Sequence, residues 1–529
     1  MDLAILIFSF ILLLFVFLVL NDHLGRKGLP PGPRPWPIIG NLLQLGEKPH
    51  AEFAKLAQKY GDLFTLRLGS QTVVVASSPA AAAEILKTHD RILSGRYVFQ
   101  SFRVKEHVEN SIVWCQCNDN WKMLRKVCRT ELFTPKMIES QAHVREVKAL
   151  EMVKFLKTKQ GEVVKVAEVV FGTLVNIFGN LIFSQDVFDL ADPTSGSVEM
   201  KEQLWRMLEL GNTTNPADYF PFMGRFDLFG QRRAVAECLQ QIYDIWGVML
   251  KERRANSTRN VNNDFVNVLL SAGLDDQKIN ALLMELFGAG TETTSSTIEW
   301  AIAELTKNPR IVRKIQQELL NVVGEAATAT VKESHIPHLP YLQAFVKETL
   351  RLHPPTPLLL PRRALETCQV MNYTIPKECQ IMVNAWAIGR DPRTWNDALV
   401  FTPERFLNSN VDYKGNDFEL IPFGGGRRIC PGIPLATQFI HLIVANIVHN
   451  FEWSLPNGMD VGKLTMEDKF GLTLQKDPPL YIVPKARTRY DLEHILPSIN
   501  KIAGLNNISI IETTDLGGTD LFVNICIIL

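Results

Sequence analysis

Cysteine is scarce in this chain. Eight thiols are spread over 529 residues, and the closest pair, Cys115 and Cys117, is separated by a single residue. That spacing is not a CxxC zinc pattern, and so few thiols exclude a disulfide framework. An excess of either charge is also missing, since 56 Lys and Arg face 56 Asp and Glu. A balanced chain of this kind carries no basic footprint for nucleic acid and no acidic tail. Internal repeats are absent, as is low complexity beyond the N-terminus. What remains is ordinary globular composition, 46% hydrophobic and 21% charged, over a length that can bury a large core.

Long apolar runs are rare too, and the exception bears on location. Leu3 to Leu20 is eighteen residues with only Ser9 polar. As a helix it is about 27 Å long, which suits the thinner endoplasmic reticulum bilayer. A cleaved signal would want a basic start and a small-residue cleavage site, and neither is visible. The run therefore reads as one uncleaved transmembrane helix. Asp2 precedes it while Arg26 and Lys27 follow it, so the positive-inside rule places the rest of the chain in the cytosol. The expected location is the endoplasmic reticulum membrane, single-pass, with the sequons at Asn212, Asn256, Asn372 and Asn507 unmodified.

The organisation follows from the same pass. Residues 1–24 are the anchor, and 25–37, ending in LPPGPRPWP, are a stiff proline-rich linker. Residues 38–490 form one globular domain, and 491–529 a mixed polar and apolar extension with no clear period. Within the domain, 62–77 alternate polar and apolar around Gly69-Ser70, which reads as a hairpin. Ser78-Pro79 supplies an N-cap and a first-turn proline for a helix. From there to about residue 350 the period is mostly helical, with strand-like pieces near 370–383 and 470–483. The expected fold is mainly α with a small β-sheet region at one side.

One short stretch carries the chemistry. Residues 423–432 read FGGGRRICPG, a thiol among four glycines and two arginines. A thiolate is a soft donor suited to iron. Glycine lets backbone approach a flat ligand closely, and Arg428 offers charge for an anionic group and for a thiolate. The following residues, PLATQFIHLIVANIVHNF, read as an amphipathic helix whose N-terminus would lower the thiol pKa. The loop resembles FxxGxRxCxG, the haem-thiolate loop of the cytochrome P-450 family. Glu348-Thr-Leu-Arg351 is similar to that family's ExxR, Pro403-Glu-Arg405-Phe to its PERF box, and Trp121-Lys-Met-Leu-Arg125 to its WxxxR. Ala289-Gly290-Thr291-Glu292-Thr293-Thr294 matches its distal motif, inside a helical run of about 277–306.

The resemblance covers about residues 28–487 and implies a cytochrome P-450 fold, with haem b (iron protoporphyrin IX) between the distal helix and the proximal cysteine loop. It implies Cys430 as the iron ligand. It also implies haem contacts from Trp121, Arg125, Arg362, Phe423, Arg428, Ala289 and Gly290, and a structural network of Glu348, Arg351 and Arg405 that holds the cysteine loop. Thr293 and Glu292 match the residues that handle protons during dioxygen cleavage. Electrons would come from NADPH through NADPH-cytochrome P-450 reductase. Segments such as LELGNTTNPADYFP and FGLTLQKDPPLYIVP narrow the resemblance to plant enzymes of benzylisoquinoline alkaloid synthesis. That implies hydroxylation of a small-molecule alkaloid on its benzyl ring. Two other outcomes use the same motifs: oxidative phenol coupling of similar alkaloids, whose product gains no oxygen, and hydroxylation of another metabolite such as a monoterpenol. A haem carrier without turnover would have no use for the Glu292-Thr293 pair.

Phe99, Phe102, Leu358, Leu472 and Glu285 are expected at the substrate. Glu285 lies four residues before Ala289 and shares its helix face. It would either hold a protonated amine at the cavity rim or brace the preceding loop through Arg103 or Lys105.

Overall fold

The hairpin forms where the alternation places it. Leu63–Leu68 (β1) and Gln71–Ala76 (β2) pair antiparallel and turn at Gly69-Ser70. Gly69 adopts φ +59°, and a Cβ there would sit 2.5 Å from the Tyr219 carbonyl oxygen, so no side chain fits. The computed structural model describes residues 27–187, 190, 198–255, 264–324 and 330–487. The apolar run 3–20, the stretch 491–529 and the sequons at Asn256 and Asn507 lie outside these residues.

β2 is one strand of a five-stranded sheet that also contains Gly95–Arg96 (β3), Arg362–Arg363 (β4) and Gln380–Val383 (β5), in the order β1-β2-β5-β4-β3. β5 runs parallel to β2 and antiparallel to β4, and β4 pairs antiparallel with β3. That register sets Arg96 opposite Arg362. Among the described residues there are three further sheets, of three, two and two strands. The single sheet expected at one side is therefore four. Pairings such as Tyr481–Ala486 with Val164–Lys165 join segments far apart in the chain, which local alternation cannot show.

Helices make up most of the rest. Ser78 caps the helix Pro79–Ala83, its hydroxyl accepting from the Ala81 amide at 3.2 Å. The helix Asp276–Lys307 spans 32 residues; Asp275 caps it through the Lys278 amide at 2.9 Å, and Asn308-Pro309 ends it. Val166–Phe183 packs along it. Among the described residues this is the one helix long and apolar enough to cross a membrane, yet it lies buried in the core. Each Val, Leu, Ile or Phe it buries contributes roughly 1.5–3 kcal/mol. The helix after the cysteine loop, Ile433–Asn450, departs from the amphipathic reading. Every residue from Phe439 to His449 is buried, because Ala142–Thr158, Asp276–Lys307, Pro309–Val323 and Pro340–Leu352 all pack on it. Its polar residues turn inward on the helix itself, as with Asn446 donating to the Leu442 carbonyl at 2.9 Å.

Candidate active site

Where Asp276–Lys307 passes the Cys430 loop, the two enclose a cavity of about 340 Å³. Glu285, Ala289 and Thr293, spaced at one helical turn, line one side. Phe423, Cys430 and Gly432 line the other. The loop is held by the Cys430 amide, which donates to the Phe423 carbonyl at 3.0 Å. Gly424 and Gly426 have φ of +71° and +64°, and a Cβ on Gly426 would fall 1.8 Å from the Leu86 carbonyl oxygen. Gly426 is thus required by a neighbouring stretch of chain, not by a ligand. Gly290 has a similar explanation: a Cβ there would lie 2.4 Å from the Phe178 ring, so the helix gives up about 1 kcal/mol of propensity to let that ring pack. The helix passes this point unbroken.

The thiol does not follow the pKa expectation. Burial pushes Cys430 up, and the amides of Gly432 and Ile433 with the Arg125 charge only partly oppose this. Desolvation of an anion outweighs the helix N-terminus until a cation is present. The charge acting on the sulfur is that of Arg125, not Arg428.

Four arginines gather on one side of the cavity: Arg96, Arg125, Arg362 and Arg428. Burial and mutual repulsion depress Arg96 well below the usual range, and Arg362 falls to about 10 for the same reasons. Arg428 donates to the carbonyls of Ser94 at 3.0 Å and Cys115 at 2.6 Å and lies 4.8 Å over the Trp121 ring. Arg96 donates to the carbonyls of Val113 and Leu360, each at 3.0 Å. Arg362 spends Nη2 on the Gly425 carbonyl at 3.0 Å, while its buried Nη1 has no partner among the described residues. The Trp121 indole donates to the Ile112 carbonyl at 3.1 Å and so is already engaged by protein. A buried cationic cluster with a spare donor, beside a soft sulfur and in a largely apolar cavity, suits a flat group bearing carboxylates, as haem does. Arg96 escaped the sequence reading because only the β3–β4 register brings it there. Cys115-Gln-Cys117 supplies a carbonyl to Arg428, and the Gln116 side chain binds both backbone groups of Arg96.

The carboxylate of Glu348 accepts from Arg351 Nε at 2.7 Å and Nη2 at 2.8 Å, from Arg405 Nε at 3.1 Å and from the Thr402 amide at 2.7 Å. Arg351 also bonds the carbonyls of Gly389 and Ala398, and Arg405 that of Asn396. The network thus ties Pro340–Leu352 to the segment 389–405. It reaches the cysteine loop indirectly, through Trp395 and Phe406 in one apolar cluster with Tyr413, which packs on Phe423 at 5.5 Å.

Thr293 Oγ1 donates to the Ala289 carbonyl at 2.6 Å, which commits its proton and leaves the oxygen as an acceptor. Glu292 is buried, with Oε1 accepting from Thr473 Oγ1 at 2.8 Å and Gln475 Nε2 at 2.7 Å. Phe102 and Leu472 line the cavity; Phe99 and Leu358 line a second, smaller cavity beside it. Trp114, missed in the sequence, stacks on Phe102 at 5.5 Å.

Glu285 accepts from the amides of Ile112 at 3.0 Å and Val113 at 3.1 Å, and from Ser111 Oγ. It braces the loop through backbone, not through Arg103 or Lys105; Arg103 Nε goes to the Val98 carbonyl. Burial raises its carboxyl to about 7. A folded pKa above the ordinary 4.5 gives stability that is full below 4.5 and is lost as pH rises through 7. Glu285→Gln turns one of the two accepting oxygens into an NH2 donor that faces a protein donor and should cost about 1–3 kcal/mol. Thermal unfolding from pH 4.5 to 8 checks this. The variant should lose that slope, and basic and neutral ligands should weaken alike; a loss confined to basic ligands would show that Glu285 holds an amine instead.

A thiol loop opposite a threonine-bearing helix, with buried arginines between, defines a haem-thiolate enzyme. The chain belongs to the cytochrome P-450 family, which it matches over residues 30–483. It is 79% identical over 485 residues to a probable (S)-N-methylcoclaurine 3′-hydroxylase isozyme 2 of Coptis japonica, covering 92% of this chain and 99% of that one. It is 73% identical over 475 residues to (S)-N-methylcoclaurine 3′-hydroxylase isozyme 1 of Papaver somniferum, covering 89% and 98%. A zebrafish cytochrome P-450 solved with progesterone shares the fold at TM-score 0.72 and 24% identity, over 83% of this chain and 99% of that one. This chain is accordingly a P-450 monooxygenase; the family and fold imply haem b, with electrons from NADPH by way of a reductase.

Proposed function

We propose that this chain hydroxylates (S)-N-methylcoclaurine on its benzyl ring, at the 3′ position beside the phenol. The observation that carries the reading is 79% identity, over nearly the whole length, to a relative bearing that name. Bound haem supplies activation of dioxygen and insertion of one oxygen atom. In this reading Cys430 is its ligand, and Arg96, Arg125, Arg362 and Arg428 hold its carboxylates. Thr293 Oγ1 accepts a hydrogen bond in the cavity, and Glu292 relays protons behind it. Glu348, Arg351 and Arg405 are structural. Mass spectrometry of products made under isotopically labelled dioxygen tests the function: one labelled oxygen at the 3′ position is expected, and a coupled product without label would overturn it.

The same reading makes residues 1–24 an endoplasmic reticulum anchor, 25–37 its linker, 38–490 the cytosolic catalytic domain and 491–529 an appendage dispensable for turnover. Surface chemistry supports a bilayer contact. Trp36, Ile38, Leu43, Phe222, Phe226 and Leu228 are each more than half exposed. The two segments that carry them flank one turn: Gly40 bridges Leu68, and the Ser70 amide donates to the Tyr219 carbonyl at 3.0 Å. Clustered exposed rings suit an interface with lipid.

Thr293→Ala removes the acceptor, while the Ala289 carbonyl keeps its backbone helix bond. Haem content and substrate affinity should be kept, while product per NADPH falls several-fold and peroxide rises. Coupling equal to that of the unaltered enzyme would remove Thr293 from proton handling.

A further inference from the structure

Beside the first cavity lies another of about 200 Å³, with Phe102, Leu360 and Leu472 shared between their walls. Its lining includes the rings of Tyr97, Phe99, Phe102, Tyr219 and Phe470. Among the described residues that line it, one is charged, Asp218. This residue ends the turn Pro216–Asp218, and its Oδ1 accepts from the Gln100 amide at 2.7 Å. The Tyr97 hydroxyl donates to the Asp218 main-chain carbonyl, so the turn is held independently of the carboxylate.

The carboxylate lacks a cation. Arg103 acts on it from a distance but forms no ion pair with it within 4 Å among the described residues. Burial pushes the Asp218 carboxyl up to about 6, against both the Gln100 amide and Arg103. It is a part-buried carboxylate with no counter-charge within 4 Å among the described residues, a state that an incoming cation relieves. Aromatic faces around it favour the same kind of guest. In the first cavity, by contrast, Glu285 accepts from three protein donors and Glu292 Oε1 from two.

We propose that this aromatic chamber binds organic ammonium groups, with Asp218 as the counter-ion of a protonated tertiary amine, and so selects basic substrates. The proposal rests on the hydroxylase reading above only for the identity of the molecule that carries the amine. Phe102 and Leu472 then stand between the seated amine and the part of the molecule that enters the first cavity.

Equilibrium dialysis with full-length holoenzyme tests it, using N-methylcoclaurine, its neutral N-acyl counterpart and the simple probe N,N-dimethylphenethylamine. Asp218→Asn keeps an acceptor for the Gln100 amide and removes only the charge. The expected result is a Kd at least tenfold higher for both amines, no more than twofold for the neutral compound, and recovery in Asp218→Glu. Equal weakening of all three, or unchanged amine binding, overturns the proposal. A second measurement needs no variant: amine affinity of the unaltered enzyme should fall as pH drops below 6, while that of the neutral compound stays level. The other titratable groups acting on Asp218 are Arg103, Tyr97 and Tyr219, which do not change charge in that range. Flat amine binding through this range also overturns it. If N-methylcoclaurine fails to bind the unaltered enzyme while dimethylphenethylamine shows the Asp218 dependence, the substrate reading is wrong and the ammonium site stands.

Discussion

Cys430→Ser should fold and yet lose the spectral and catalytic character of the enzyme. The side chain points into the cavity, and its backbone bond to the Phe423 carbonyl does not involve sulfur. A hydroxyl is a hard, neutral donor where a soft anion is required. The reduced carbon monoxide complex should lack the red-shifted absorbance maximum that thiolate ligation gives. Product formation should fall by more than the roughly 10–100-fold typical of changes outside the ligand shell. Thermal unfolding of the protein part should stay close to that of the unaltered enzyme. A reduced spectrum identical to the unaltered enzyme's would mean that Cys430 is not the ligand.

The second large effect lies away from the chemistry. Arg351→Ala strands Glu348, fully buried, with only Arg405 and the Thr402 amide as donors. Breaking a buried ion pair by removing one partner costs about 3–5 kcal/mol. Against a typical net stability of about 5–15 kcal/mol this is enough to empty the folded state of haem-competent protein. Arg351→Lys should fail nearly as badly, because one ammonium cannot reach the two Glu348 oxygens and the Ala398 and Gly389 carbonyls together. Haem content and unfolding temperature measure both variants, and a lysine variant as stable as the parent would show that the network is dispensable.

Local signals carried well into the structure. The Gly69-Ser70 turn, the Ser78 cap and the long helix, expected over about 277–306 and observed over Asp276–Lys307, each rest on side chains acting within a few residues of themselves. Spacing of three in Glu348-x-x-Arg351 and of four in Trp121-x-x-x-Arg125 likewise survives folding, because one helix presents both partners. What stayed hidden depends on distant pairing. Arg96 meets Arg362 through a strand register, Glu285 meets the amides of 112 and 113 across 173 and 172 residues, and Asp218 meets Gln100 across 118. Helix Ile433–Asn450 shows a related limit. Its few polar residues suggest a wet face, but four helices bury them, and Asn446 Nδ2 and His441 Nδ1 turn to carbonyls one turn back.

The clustered arginines, three of them buried and Arg125 half-buried, also bear on how long the protein lasts. Uncompensated, they subtract from the stability of the polypeptide that leaves the ribosome; a dianionic ligand turns that deficit into a gain. Free ligand at a hundred times its Kd adds about 2.7 kcal/mol to whatever form binds it. The folded fraction, and with it exposure to proteolysis, is then set by haem supply as much as by the rate of synthesis. Protein made without haem should therefore unfold at a lower temperature than the loaded enzyme, and the thermal shift on adding haem measures the difference.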